Sequence, residues 1–79
     1  MDIGVGSIVY SKAGHDKRKI FLVHSVEQNY AYIADGSLRK LEKPKKKKLI
    51  HLQSTNFTVE VKDLSNSKIR QMLAQYKSG

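Results

Sequence analysis

The chain has 79 residues and no cysteine, and it carries fifteen Lys and Arg against seven Asp and Glu, a formal net charge of +8. That length bounds it to one domain with a small core, and the missing cysteines exclude disulfides and thiolate metal sites. A balance this basic points to polyanionic partners and says little about fold.

Residues Met1 to Gly6 show no apolar stretch of the signal-peptide kind. The longest apolar run, Ile20 to Val23, is far too short to cross a bilayer. The expectation is a soluble cytoplasmic protein with no membrane partner.

Ser7 to Tyr10 is short, β-branched and aromatic and reads as a strand, followed by a polar loop from Ser11 to Lys19 that contains Gly14. Ile20 to Glu27 carries apolar residues on both faces, which suits a central strand. Ile20, Leu22, His24 and Val26 share one of those faces by strict alternation, so His24 reads as a partly buried structural histidine. Gln28-Asn29 suits a tight turn, and Tyr30 to Ala34 follows as a strand. Asp35-Gly36 is a hairpin signal of the type I′ kind, which returns the chain along Ser37 to Leu41. Pro44 then breaks the ladder, Lys45 to Lys48 reads as a charged loop, and Leu49 to Leu52 as a short closing strand.

Five short strands joined by tight turns predict a mainly β fold, a small barrel over residues 1–56. Closure is the economical way to protect edges in so small a sheet. Residues 57–79 form a connector and a C-terminal helix packed on that barrel, the whole being a single domain. Phe57 to Lys62 alternates with period 2 and reads equally as a sixth strand or as an extended connector. Ile69, Met72, Leu73 and Tyr76 fall at i, i+3, i+4 and i+7, predicting a helix over about 65–77 with Ser65, Asn66 or Ser67 as its N-cap. Phe21 and Phe57 are read as core.

Catalysis has little to stand on. His15, His24 and His51 lack a serine or acidic partner at any motif spacing, and three scattered imidazoles do not make a metal site. No phosphate-cradling glycine loop is present. The expectation is a protein that is not an enzyme, with no cofactor, no metal and no small-molecule substrate.

The charge is concentrated instead. Between Lys12 and Lys48 stand eleven basic residues against Asp16, Glu27, Asp35 and Glu42. Two segments hold them. Lys12, His15, Lys17, Arg18 and Lys19 lie in the first inter-strand loop, and Arg39, Lys40, Lys43, Lys45, Lys46, Lys47 and Lys48 lie around the proline. Lysines on flexible stems suit a phosphate backbone, and arginine adds a fork and a stacking plane. Tyr30 and Tyr32 share a strand face and are candidates for base stacking. The partner this pattern predicts is RNA, read by shape and backbone charge.

The segment Gly6 to Val23, with Gly14-His-Asp-Lys-Arg-Lys19 inside it, resembles a KOW motif. The continuation Val26-Glu-Gln-Asn-Tyr-Ala-Tyr-Ile-Ala-Asp-Gly36, with Arg39-Lys40 and Leu49-Ile-His-Leu52, is similar to the eukaryotic and archaeal large-subunit ribosomal proteins numbered fourteen. Still closer is the group of small stand-alone bacterial KOW-domain RNA-binding proteins, which share Val9-Tyr-Ser-Lys-Ala-Gly14, Ala34-Asp-Gly36, Leu38-Arg-Lys-Leu41 and the lysine run. The resemblance implies an SH3-like barrel, binding to ribosomal RNA, and a place on the ribosome with ribosomal proteins as further partners. It also implies that the Lys12–Lys19 loop touches RNA or a partner. The chain departs from the pattern at Arg18, where many KOW loops have a second glycine. An alternative reading is a protein-interaction module that docks on the ribosome or on RNA polymerase.

Overall fold

The computed structural model describes residues 3–78. Five antiparallel strands form one open sheet: β1 (Ser7–Ser11), β2 (Ile20–Glu27), β3 (Tyr30–Ala34), β4 (Lys45–Lys48) and β5 (Leu52–Thr58), in the order β4-β3-β2-β1-β5. A C-terminal helix, α1 (Asn66–Ser78), completes the fold. Among the described residues no helix is long and apolar enough to cross a membrane.

The chain itself forces this sheet to curl. β4 and β5 are its two edges, yet a three-residue 3-10 helix, Leu49–His51, is all that separates them in sequence. Four strand spacings laid flat span about 19 Å. Four residues from Lys48 to Leu52 reach at most about 14 Å. The edges are therefore drawn toward each other. The 3-10 helix is pinned at both ends, by Leu49 N–H to the Asn29 carbonyl (2.8 Å) and by Lys12 N–H to the His51 carbonyl (2.8 Å).

Curling gives the sheet two apolar layers. Val9, Phe21, Val23, Ala31, Ile33 and Leu52 fill the concave side. On the convex side Ile8, Leu22 and Ala34 meet Ile69 and Leu73 of the helix, with Met72 and Tyr76 packed against them. β2 supplies both layers, as its two apolar faces predict. Ser65 caps the helix: its Oγ accepts the Lys68 N–H at 3.1 Å.

The strand assignment, His24 and Phe57 differ from the sequence reading. The fourth strand is the lysine run, and Ser37 to Leu41 is not a strand. The Asp35 carboxylate accepts the N–H groups of Ser37 and Arg39 (2.8 and 2.9 Å), and the Arg39 carbonyl accepts those of Asp35 and Gly36 (2.9 and 3.2 Å). That loop uses the backbone groups a hairpin would have placed on β3. Leu41 then donates to Asn66 Oδ1 on the helix (2.7 Å), and β4 takes the vacant edge, with Ala31 opposite Lys47 and Ile33 opposite Lys45. Leu49–His51 is 3-10 helix where a strand is predicted, and β5 runs through Thr58.

The second difference is at His24. The ladder between β2 and β3 shifts register between Val23 and Ser25, so His24 lies in a bulge and is exposed. The bulge reverses the alternation beyond it and sets Val26 opposite Ala31, away from the Leu22 face. The third is Phe57, which is 57% exposed and rests edge-on against Tyr76 with ring centroids 4.9 Å apart. Phe21 is fully buried, as expected.

Candidate nucleic-acid interface

The first inter-strand loop, residues 12–19, is compact. Ser11 N–H donates to the Lys19 carbonyl (3.0 Å), and Arg18 N–H donates to the Ser11 carbonyl (2.7 Å). Two residues thus oppose one, with Arg18 left-handed at φ 73°. This is the bulge geometry whose first position ordinarily belongs to glycine. A side chain there costs about 1 kcal/mol, and here the strained position carries a guanidinium at the surface.

The loop folds its acidic residue inward. Asp16 is 4% exposed, and its Oδ2 accepts Lys45 Nζ at 2.7 Å and faces Arg39 Nη2 at 3.4 Å. The hydrogen bond from Lys45 holds the Asp16 carboxyl below the usual aspartate range, with the charges of Lys45, Arg39 and Lys47 acting in the same direction against burial. Lys47 is 9% exposed and donates from Nζ to the Ala13 carbonyl at 3.1 Å. Both basic segments, twenty or more positions apart in sequence, are thereby fastened side by side.

The period of a strand divides the lysine run. Lys45 and Lys47 stand on the face of Ile33 and Ala31 and reach the 12–19 loop, so they serve as its supports. Lys46 and Lys48 stand opposite Tyr32 and Tyr30 and are exposed. Lys46 Nζ lies 4.5 Å from the Tyr30 ring centroid, a cation–π contact. Tyr30 and Tyr32 are both half-buried, and the Tyr32 hydroxyl donates to Glu27 (3.0 Å). Beside Tyr30, Asn29, Lys48, Leu49 and Ile50 line a shallow pocket.

The remaining residues singled out by sequence are at the surface. Lys12, His15, Lys17, Arg18, Lys19, Lys40 and Lys43 are exposed and Arg39 is half-buried. Arg70 and Lys77 stand outside the RNA-binding set predicted from sequence, yet border the first loop in space. They belong to the helix, on the side that faces the first loop and the 35–39 loop across a groove. Their spacing of seven, two helical turns, was the available signal. Among the described residues no cluster of His, Asp and Glu has metal-ligand geometry.

The Arg18 geometry makes a direct prediction. Arg18→Gly is expected to keep the fold, with stability unchanged within about 1 kcal/mol, because relief of the left-handed side chain offsets the greater freedom of glycine in the unfolded chain. Thermal unfolding monitored by circular dichroism reads this out. A loss well beyond that range would mean that the guanidinium holds the loop together.

No family model and no curated protein matches this chain.

Proposed function

We propose that the chain is a non-catalytic, KOW-type module with an SH3-like barrel fold, acting in the cytoplasm on structured RNA, ribosomal RNA foremost. The barrel reading is supported by a sheet whose edges are drawn together by one 3-10 turn and whose concave side is filled by side chains. The observation that carries the RNA reading is the joining of the two basic segments by Asp16. The first loop presents Lys12, His15, Lys17, Arg18 and Lys19. Lys40 and Lys43 precede β4, and on the outer face of that strand Lys46 and Lys48 stand opposite Tyr32 and Tyr30. Asp16, the loop's one carboxylate, is turned away from solvent. A ligand approaching the loop and the outer face of β4 meets cations and aromatic edges, with the exposed Glu27 carboxylate beside Tyr32. The phosphate backbone supplies the matching charge, and the half-buried tyrosines suit unstacked bases at a loop or bulge.

Ultraviolet cross-linking in cells, followed by sequencing of the attached RNA, tests this reading. Reads gathered at one or two places in ribosomal RNA are expected, and a background-level signal overturns it. A docking module for a protein of the ribosome or of RNA polymerase is the second reading, favoured by the exposure of Leu38 (77%) and Ile50 (68%) beside the basic face. Association that survives ribonuclease would decide for it.

The division of the lysine run has a measurable consequence. Exchanging Lys46 and Lys48 together for Gln should weaken RNA binding and make the slope of log affinity against log salt shallower by about 1.4, roughly 0.7 for each phosphate no longer neutralised. Lys47→Gln should act chiefly on stability, since its ammonium is the buried partner of the Ala13 carbonyl. Salt titrations of the two variants beside the parent check this, and equal slopes for all three would remove β4 from the interface.

A further inference from the structure

A second surface differs in character from the lysine face. The helix, the 35–39 loop and the end of the first loop enclose a groove of about 460 Å³. Four cations border it: Arg18 and Lys19 from the loop, Arg70 and Lys77 from the helix. Asp35 is its sole carboxylate, and that group already accepts two backbone N–H groups. Between the cations the wall is aliphatic, formed by Ile20, Leu38, Leu73 and Ala74. Leu38 stands on the rim, 77% exposed and outside both apolar layers.

The geometry points to a binding site for a single unstacked nucleotide of an RNA strand, its phosphate held by the four cations and its base laid against Leu38 and the aliphatic wall. This rests on the RNA reading above and adds a second point of attachment to it, on the convex side where the helix packs. Charge complementarity argues for a phosphate, because the groove presents four positive groups with one engaged carboxylate. Arg70 is prepared for it. One nitrogen of its guanidinium donates to the Gly36 carbonyl, which fixes the fork at the groove and leaves other N–H groups free. The aliphatic strip argues for a flat apolar face beside that phosphate. A base still paired in a duplex shows only its edge. The groove also continues from Arg18 and Lys19 of the lysine face, so one strand can pass from one surface to the other.

Lys77 and Leu38 are both exposed, so replacing either leaves the core intact. The parent chain, Lys77→Gln and Leu38→Ser would be titrated with a short oligouridylate, with a fully paired RNA duplex and with polyglutamate. Lys77→Gln is expected to lower oligouridylate affinity about threefold to tenfold with a salt slope shallower by about 0.7. Leu38→Ser should lower it by a similar factor with the slope unchanged, because the leucine contributes apolar surface and no charge. Duplex affinity should stay at the parent value in both. If both variants bind oligouridylate as the parent does, while exchange of Lys46 and Lys48 weakens it, the groove is overturned and the RNA reading stands. Equal losses on duplex RNA overturn the unstacked nucleotide as the occupant. Losses confined to polyglutamate overturn it in favour of an acidic peptide. A parent chain that binds neither RNA overturns the RNA reading and the groove together.

Discussion

Gly36→Ala is expected to lower stability by about 3 kcal/mol or more, a fall in Tm of at least about 12 °C for a domain this small. Two separate reasons converge on that position. Gly36 has φ +79°, where an L side chain is strained by about 1–2 kcal/mol. A β-carbon built there would also lie 2.3 Å from the Asn66 carbonyl oxygen, a backbone atom at the start of the helix that cannot swing away. The 35–39 loop and the helix start would have to separate. That junction also carries the hydrogen bond from Arg70 to the Gly36 carbonyl and the bonds of Asn66 to Leu41 and Glu42. Those bonds from the Asn66 amide hold the Glu42 carboxyl below its usual range. Thermal and urea unfolding of the variant beside the parent measure the loss. A Tm within a few degrees of the parent would mean that the helix start can give way, and the tight approach would not be a constraint on the fold.

Replacing Asp16 with Asn should cost about 1.5–3 kcal/mol near neutral pH, the range for hydrogen bonds to charged groups. The carboxylate is nearly buried, so solvent screens its bond to Lys45 little, while the longer contact to half-exposed Arg39 adds less. The loss should appear as faster hydrogen exchange in residues 12–19 before it appears in β2. It also has a pH signature. The folded-state pKa of Asp16 is depressed, so its contribution is complete above the unfolded aspartate value near pH ~4 and is lost as pH falls through the lower folded value. The parent and Asp16→Asn are therefore expected to differ fully at pH ~6 and to converge in acid below pH ~4. A difference that stays constant down to the acid limit would assign the effect to shape and not to charge.

Much of the fold was legible from residue order alone. β2 declared itself by apolar residues on both faces, and the structure uses both, one for the concave layer and one for the helix. The stripe of Ile69, Met72, Leu73 and Tyr76 located the helix to within a residue, and Ser65 took the capping role open to it. These features are local. Period, turn chemistry and capping act over a few residues, and nothing distant competed with them.

The fourth strand was not legible, because its competitors were distant. Asp35-Gly36 has the composition of a hairpin, but the Asp35 carboxylate and Asn66, thirty residues away on the helix, capture the backbone groups that follow. Four consecutive lysines have poor strand propensity. They form β4 because the edge of β3 is open and because Asp16 and the Ala13 carbonyl give two of the ammonium groups a partner. The bulge at His24 and the exposure of Phe57 were hidden for the same reason.

Composition and spacing thus determined the strand-rich character, the place of the helix and the two basic segments. Tertiary structure decided which lysines face outward. It also joined the segments through Asp16 and set Arg70 and Lys77 across a groove from Arg18 and Lys19. Charge and period are properties of a segment. Which side chain meets which depends on long-range pairing, and one register shift in a strand exchanges the face presented to a ligand for the face that holds the fold together.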